Sequence, residues 1–255
     1  MLRVFHPGPW PASGGELTLA PDESSHLVRV RRARVGEPVA VLDGKGGVAD
    51  GTLSADSSSA SRLRIDKITR HPAPPSRTLA VGLPKGDTFS EIIRQATELG
   101  ATAVQPLYTA HTEVHLEPDR AARKLERWRA TALESCKQSG NPWLPAIHAP
   151  LDLAKWLKTL PVKDEKTLHL VAALTPNSIP ISQLQTVNRK PETSGSLSPS
   201  APLSLSPFII CIGPEGDFSP AEYQLFEQSL FTPIRLPGHV LRVETACVVA
   251  LARAE

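Results

Sequence analysis

Hydrophobic and polar positions alternate over the first seventy residues in the manner of short strands joined by turns. We expect strands near residues 2–6, 38–43, 48–53 and 63–68. Gly44-Lys45-Gly46-Gly47 predicts the turn between the second and third of these, and His71-Pro72-Ala73-Pro74-Pro75 predicts a stiff linker. The pattern therefore indicates a small β-rich domain over residues 1–72.

Beyond the linker, short apolar segments alternate with segments of helical period. We expect strands near residues 79–83, 102–107, 168–174, 208–212 and 234–236, with helices near 88–99, 118–139 and 246–252. Thr88 and Glu91 have the spacing of a capping box at the start of the first helix. Such alternation predicts an α/β domain over residues 73–255, with a parallel sheet that binds ligands at the carboxyl ends of its strands.

Residues 191–207 are rich in serine and proline and bury too little apolar surface to offset the entropy of ordering them. We therefore expect a mobile insertion at 187–207.

Composition and charge narrow the function classes. The chain has 255 residues, is 40% hydrophobic and carries a formal net charge of only +2, so it does not coat nucleic acid indiscriminately. The basic cluster formed by Arg29, Arg31, Arg32 and Arg34 indicates a local nucleic-acid contact, although a solvated strand face would have the same pattern. Three widely spaced cysteines and the lack of long apolar segments favour a reducing, cytoplasmic setting without membrane insertion.

Two glycine/proline turns near the C-terminus carry the candidate chemistry. Ile212-Gly213-Pro214-Glu215-Gly216 follows an apolar strand, and Ser219, Pro220 and Glu222 then have the pattern of a helix capping box. Leu236-Pro237-Gly238-His239 leads into Leu241-Arg242-Val243-Glu244-Thr245-Ala246. One such turn alone has the form of an ordinary strand-to-helix connection, but two within thirty residues predict a cofactor site built from backbone groups and glycines.

Other kinds of site are disfavoured. Gly44-Lys45-Gly46-Gly47 lacks the spacing of a triphosphate-binding loop, and no GxGxxG follows a strand. His111 and His115 are four residues apart, but the intervening glutamate is not where HExxH requires it and the segment follows a strand. We therefore expect a solvated loop there and no metal.

The chain resembles the ribosomal RNA small-subunit methyltransferase E family, a member of the SPOUT superfamily. The resemblance lies in Lys85-Gly86-Asp87, Gln95-Ala96-Thr97-Glu98-Leu99-Gly100, Gln138-Ser139-Gly140, Ile212-Gly213-Pro214-Glu215-Gly216 and Leu241-Arg242-Val243-Glu244-Thr245-Ala246, and in His26-x-x-Arg29-Val30-x-Arg32 near the N-terminus. It implies a PUA-like RNA-binding β-barrel, an α/β domain with a deep C-terminal trefoil knot, and a homodimer.

The resemblance also implies an activity. The activity that it implies is transfer of a methyl group from S-adenosyl-L-methionine to N3 of one uridine, of the position 1498 type, in 16S ribosomal RNA of the small subunit. The residues implied to bind the donor are Leu174, Ile212, Gly213, Glu215, Gly216, Leu236, Pro237, Leu241, Arg242 and Thr245. The residues implied to bind RNA are Arg3, Arg29, Arg31 and Arg32.

Arg242 and Glu215 are the candidates for catalysis. Methylation at N3 displaces a proton while negative charge spreads onto O2 and O4, and Arg242 would stabilise that charge. A salt bridge from Arg242 to Glu244 or Glu215 is the alternative. Glu215 has the chemistry of a base, but an acid beside an arginine is a weak one, so orientation of the loop is the favoured role.

Three departures from the family pattern bear on the substrate. Asp217 stands where members usually carry a second glycine, Asn141-Pro142-Trp143 stands where they carry arginine, and Leu236-Pro237-Gly238-His239 replaces a Leu-Gly turn. Two other functions are the alternatives. One is a non-catalytic RNA-binding or assembly protein with the same fold. The other is a related methyltransferase with another target, such as a transfer RNA ribose, against which the PUA-like N-terminal part argues because ribose-modifying relatives generally lack it.

Overall fold

The computed structural model describes residues 1–161, 166–184 and 207–253. The predicted insertion at 187–207 lies, but for its last residue, outside the described residues. The chain forms two compact units, the first comprising residues 1–74 and 130–145 and the second comprising residues 75–129 and 146–255. The domain boundary at residues 72 and 73 stays a prediction.

The first unit is built on a five-stranded sheet with strand order β1-β3-β4-β5-β2. The strands are β1 (Leu2–Phe5), β2 (Glu16–Thr18), β3 (Pro38–Leu42), β4 (Gly47–Ala55) and β5 (Arg62–Arg70). β1 runs parallel to β3 and the other neighbours are antiparallel. Inward-facing residues such as Val4, Val39, Leu53 and Leu63 are fully buried in one core, as the alternating pattern predicts.

The segment before the basic cluster is helical, which the sequence pattern did not indicate. Helix α1 (Pro21–Ser25) continues into a π-helical turn at His26–Val30, and Leu27 packs into the core of the sheet. The alternative of a solvated strand face is therefore wrong for Arg29, which lies in this π-helical turn. Five residues are too few for helical periodicity to be detected in a sequence.

The second unit contains a parallel sheet with strand order β11-β13-β10-β12-β6-β7-β8, with β9 also paired to β7. Its strands are β6 (Arg77–Gly82), β7 (Ala103–Tyr108), β8 (Ala146–Ile147), β9 (Leu151–Asp152), β10 (Leu168–Ala172), β11 (Ile179–Pro180), β12 (Phe208–Ile212) and β13 (Thr232–Arg235). All five residues of β12 are buried, as expected for a central parallel strand. The predicted α/β sheet is confirmed.

The remaining helices are α2 (Thr88–Glu98), α3 (Pro118–Ser139), α4 (Leu153–Thr159), α5 (Pro220–Gln228) and α6 (Val243–Arg253). The predicted bounds of α3 are confirmed at both ends, and the side chain of Trp128 is buried against Phe89 with ring centroids 4.6 Å apart. α4 was missed because seven residues carry little periodicity. Within the described ranges, no helix is both long and apolar enough to cross a membrane.

The two predicted capping boxes have opposite outcomes. At α5, the Ser219 side chain accepts a hydrogen bond from the Glu222 backbone N–H, and the Glu222 side chain accepts one from the Ser219 N–H, as predicted. At α2 the prediction was wrong, because the N-cap is Asp87 and Thr88 is already helical. Glu91 instead pairs with Arg94 one turn later.

Candidate functional site

A cavity of about 470 Å³ lies at the carboxyl ends of three adjacent strands of the second unit. β10 ends at Ala172, β12 at Ile212 and β13 at Arg235, and the segments that follow each strand form the walls. The first turn of α6 and Thr88 complete the lining. This position is where open parallel sheets bind ligands, because the connections diverge there and leave a crevice.

The turn after β12 is held by its own backbone. The Asp217 N–H donates to the Pro214 carbonyl at 2.9 Å, and Asp217 has a φ of 60°. Left-handed backbone is uncommon for a residue with a side chain, although aspartate tolerates it better than most. A Cβ atom on Gly213 would lie 3.0 Å from Asp217 Oδ1, so glycine keeps the floor of the cavity open there.

Most of the predicted donor-binding residues meet at this cavity. Seven of the ten line it: Leu174, Ile212, Gly213, Glu215, Leu236, Leu241 and Arg242. Pro237 and Thr245 are exposed and lie outside the lining. Gly216 faces a neighbouring polar cavity instead, where an added Cβ would come within 2.9 Å of the His111 Cβ.

The two candidate catalytic side chains differ in how they are held. Glu215 Oε1 accepts a hydrogen bond from the backbone N–H of Lys85 at 3.0 Å. The Arg242 side chain is exposed and, among the described residues, has no ion pair or hydrogen bond, so the alternative salt bridges to Glu244 and Glu215 are not formed. Arg242 therefore presents its guanidinium at the cavity, whereas Glu215 is hydrogen-bonded to the loop that follows β6.

The neighbouring polar cavity contains the 111–115 segment. His111 Nδ1 lies 3.0 Å from the Asp217 carbonyl, and since a carbonyl only accepts, that nitrogen carries the proton. Lys85 Nζ lies 2.9 Å from Glu113, and this hydrogen bond raises the pKa of Lys85. The segment is a loop, as predicted, and the described residues include no group of three or more histidine, cysteine or acidic side chains that would hold a metal.

The predicted RNA-binding arginines all lie in the first unit, in two different settings. Arg31 and Arg32 are exposed and free of side-chain partners in the described part of the chain, and Arg29 reaches Ser58 Oγ at 3.3 Å. Arg3 instead donates to the carbonyls of Lys137 and Gln138 at 3.2 and 2.8 Å, which caps the end of α3.

Several residues that line the main cavity were not among the predicted donor contacts. The polar ones are Thr88, Asp217, His239 and Glu244. His239 and Glu244 belong to the second motif already singled out. Asp217 directly follows Ile212-Gly213-Pro214-Glu215-Gly216, and Thr88 directly follows Lys85-Gly86-Asp87. Their positions next to these motifs could have identified both residues.

Comparison with known proteins adds family evidence. A family model described as an RNA methyltransferase domain matches residues 71–255, and one described as an RNA methyltransferase PUA domain matches residues 19–66. The ribosomal RNA small subunit methyltransferase E of Synechocystis is 34% identical over 93% of this chain and 72% of its own length. The chain belongs to the ribosomal RNA small subunit methyltransferase E family.

Other members of the methyltransferase E family are similar along nearly the whole chain. The Bacillus subtilis relative is 28% identical over 91% of this chain and 86% of its own length. A crystal structure of the Neisseria gonorrhoeae member bound to S-adenosyl methionine has a TM-score of 0.80 and 24% identity, over 99% of this chain and 95% of that one. The predicted α/β class with a PUA-like N-terminal part is confirmed, and the trefoil knot stays a prediction.

Proposed function

We propose that this protein transfers a methyl group from S-adenosylmethionine to N3 of one uridine in 16S ribosomal RNA of the small subunit, acting as a cytoplasmic homodimer without a metal. Membership of the methyltransferase E family supports the reaction class and the RNA. The observation that carries the proposal for this chain is the cavity at the ends of β10, β12 and β13, with Arg242 in its wall and no partner for its guanidinium within the described ranges.

The residues of the cavity fit such a donor. Gly213 leaves room where any side chain would press on Asp217, and the backbone of two turns offers N–H and C=O groups to an adenine edge. Leu174, Leu236 and Leu241 supply apolar walls. When bound, S-adenosylmethionine would supply a methyl group activated by a positively charged sulfur.

Arg242 has the chemistry that N3 methylation requires of the protein. As the N3 proton leaves, negative charge develops on O2 and O4, and a guanidinium held beside them lowers the energy of that state. An arginine with no carboxylate partner retains its full electrostatic effect, whereas one in a salt bridge is partly neutralised. The hydrogen bond from the Lys85 N–H to Glu215 supports orientation of the loop as the role of Glu215.

The test is transfer of tritium from labelled S-adenosylmethionine to small ribosomal subunits, followed by nucleoside analysis. We expect label in 3-methyluridine, and a loss of about 100-fold in kcat for Arg242→Ala with donor affinity changed far less. Arg235→Ala is the matched control, because Arg235 is also exposed but does not line the cavity.

Each other outcome points to a different function. Label in another nucleoside would mean that the protein methylates a different target, such as a transfer RNA ribose. Donor binding without label in subunits or total RNA would support the non-catalytic RNA-binding alternative. Equal activity of Arg242→Ala and wild type would remove Arg242 from the chemistry.

A further inference from the structure

Asp217 is held in the wall of the main cavity by two hydrogen bonds to one carboxylate oxygen. Its Oδ1 accepts hydrogen bonds from the Phe218 N–H at 2.8 Å and from the Tyr223 hydroxyl at 2.9 Å. Its backbone is fixed as well, by the Pro214 carbonyl on one side and His111 on the other. The carboxylate therefore has a set position, although its residue is exposed and its backbone is left-handed.

The anchor of Asp217 is itself part of the core. Tyr223 packs edge-on against Phe218, with ring centroids 5.8 Å apart, and Phe218 is buried against Phe226. Burial of the hydroxyl, followed by the proximity of Asp217, raises the pKa of Tyr223, so the phenol remains a hydrogen-bond donor throughout the physiological range. A donor of this kind stabilises the charged form of the carboxylate it contacts.

The charge of Asp217 is not cancelled within the cavity. Arg242 shares the lining, yet in the described part of the chain no ion pair joins it to Asp217. The carboxylate has two oxygens, and among the described residues only Oδ1 has hydrogen-bond partners. A fixed, uncompensated negative charge in the wall of a binding cavity attracts a cation more than a neutral group of the same shape.

We propose that Asp217, positioned by Tyr223, faces the positively charged centre of the methyl donor and makes the cavity favour the cationic donor over the neutral thioether product. This inference rests on the proposed function, since it takes the main cavity as the donor site. It gives Asp217 a role in exchange of product for donor. The charge does not contribute to contacts that the donor and the product make alike, such as those to the adenine.

The experiment is calorimetric titration of the full chain with three ligands of nearly equal shape. S-adenosylmethionine carries a positive charge on its sulfur and sinefungin carries one on the amine that replaces the methyl group, whereas S-adenosylhomocysteine is uncharged there. In Asp217→Asn, which keeps the shape, an oxygen acceptor and tolerance of left-handed backbone, we expect the Kd of the two cationic ligands to rise about tenfold and that of S-adenosylhomocysteine to change less than twofold. Tyr223→Phe should give a smaller change of the same pattern.

Glu227→Gln is the control for net charge, because Glu227 is exposed on α5 and does not line the cavity. Equal weakening of all three ligands in Asp217→Asn, or no weakening of any, would overturn the inference. If that variant does not fold, Asp217→Gly decides the same question, since glycine accepts the φ of 60° without strain. A wild-type protein that binds none of the three ligands would refute the proposed function itself.

Discussion

Lys137 Nζ lies 2.8 Å from Glu23 Oε1, and both side chains are at least nine-tenths buried. The second oxygen of Glu23 accepts the Phe5 N–H at 3.2 Å, so this carboxylate links α1, β1 and the end of α3 within the first unit. Glu134 also contacts Lys137 Nζ, at 2.6 Å, but its side chain is 60% exposed. One lysine thus has a buried and an exposed partner of the same chemistry.

Neutralising Glu23 and neutralising Glu134 should have very different effects on the free energy of unfolding. We expect Glu23→Gln to lower the free energy of unfolding by about 3 kcal/mol, because a buried charge then loses its buried counter-charge. Glu134→Gln should cost less than about 1 kcal/mol, since an exposed pair is screened by water. Urea unfolding of the three proteins at pH 7 measures both values. Similar losses in the two variants would contradict a buried ion pair as the source of stability.

Asp43 should produce a dependence of stability on acid pH. Burial raises its pKa, but hydrogen bonds from the N–H groups of Lys45 and Gly47, both at 2.7 Å, and from Arg70 outweigh this, and the pKa is lowered from 3.8. A lowered folded-state pKa contributes stability that is present above the ordinary value and lost as pH falls through the lowered one.

The variant Asp43→Asn tests this linkage. It should be less stable than wild type by about 2 kcal/mol at neutral pH, because charge-assisted hydrogen bonds are lost. The difference should shrink as the pH falls below 3.8. Urea unfolding across the acid range, with Asp56→Asn as an exposed control, gives the comparison. A difference that does not vary with pH would exclude the ionised carboxylate as its cause.

Gly216 and His111 should be coupled through direct packing. An added Cβ on Gly216 would lie 2.9 Å from the His111 Cβ and 3.2 Å from its Cγ, so alanine there must displace the ring or the turn. We expect Gly216→Ala to cost about 1–2 kcal/mol of stability in the wild-type background. In a His111→Gly background, which removes both of these atoms, the cost should fall by about 1 kcal/mol, which a double-mutant cycle measures directly. Additive costs would mean that the two residues do not share this space.

Arg3 and Arg31 should separate stability from RNA binding. Arg3 donates to two carbonyls at the end of α3, so Arg3→Ala should lower the free energy of unfolding by about 1–2 kcal/mol. Arg31 is exposed, so Arg31→Ala should leave the free energy of unfolding unchanged. The same substitution should weaken binding to small-subunit RNA and reduce the salt dependence of that binding. Thermal unfolding and filter binding at two salt concentrations distinguish the two roles. The reverse assignment would follow if Arg3→Ala affected RNA binding alone.

The sequence predicted those parts of the fold whose signals are local. α3 begins at a proline and ends before Gly140, and its 22 residues give a long periodic pattern. Ser219, Pro220 and Glu222 form one compact start signal for α5. By contrast, α4 has seven residues and was not predicted, because so short a segment shows no clear period.

The candidate site shows the same limit. Each of the two turn motifs is a continuous segment, so six of the predicted residues that line the cavity were identified from them. The hydrogen bond from the Lys85 N–H to Glu215 joins residues 130 apart, and the contact of Arg3 with the end of α3 spans more than 130. Nothing in the local pattern of either partner indicates such pairs, since they are created by the order of the strands. Tyr223 is only six residues from Asp217, yet their contact depends on the left-handed turn between them.

The first unit draws on two separate stretches of the chain, residues 1–74 and 130–145, and this has a consequence for its synthesis. When the five-stranded sheet leaves the ribosome, Arg3 and Glu23 lack the partners that α3 supplies, because the end of α3 has not been translated. At ordinary elongation rates the remaining roughly 70 residues take about 4–14 s to follow. During that interval the Glu23 carboxylate, which is buried in the finished fold, lacks its ion pair with Lys137. The unit acquires its full stability only once residue 145 has emerged.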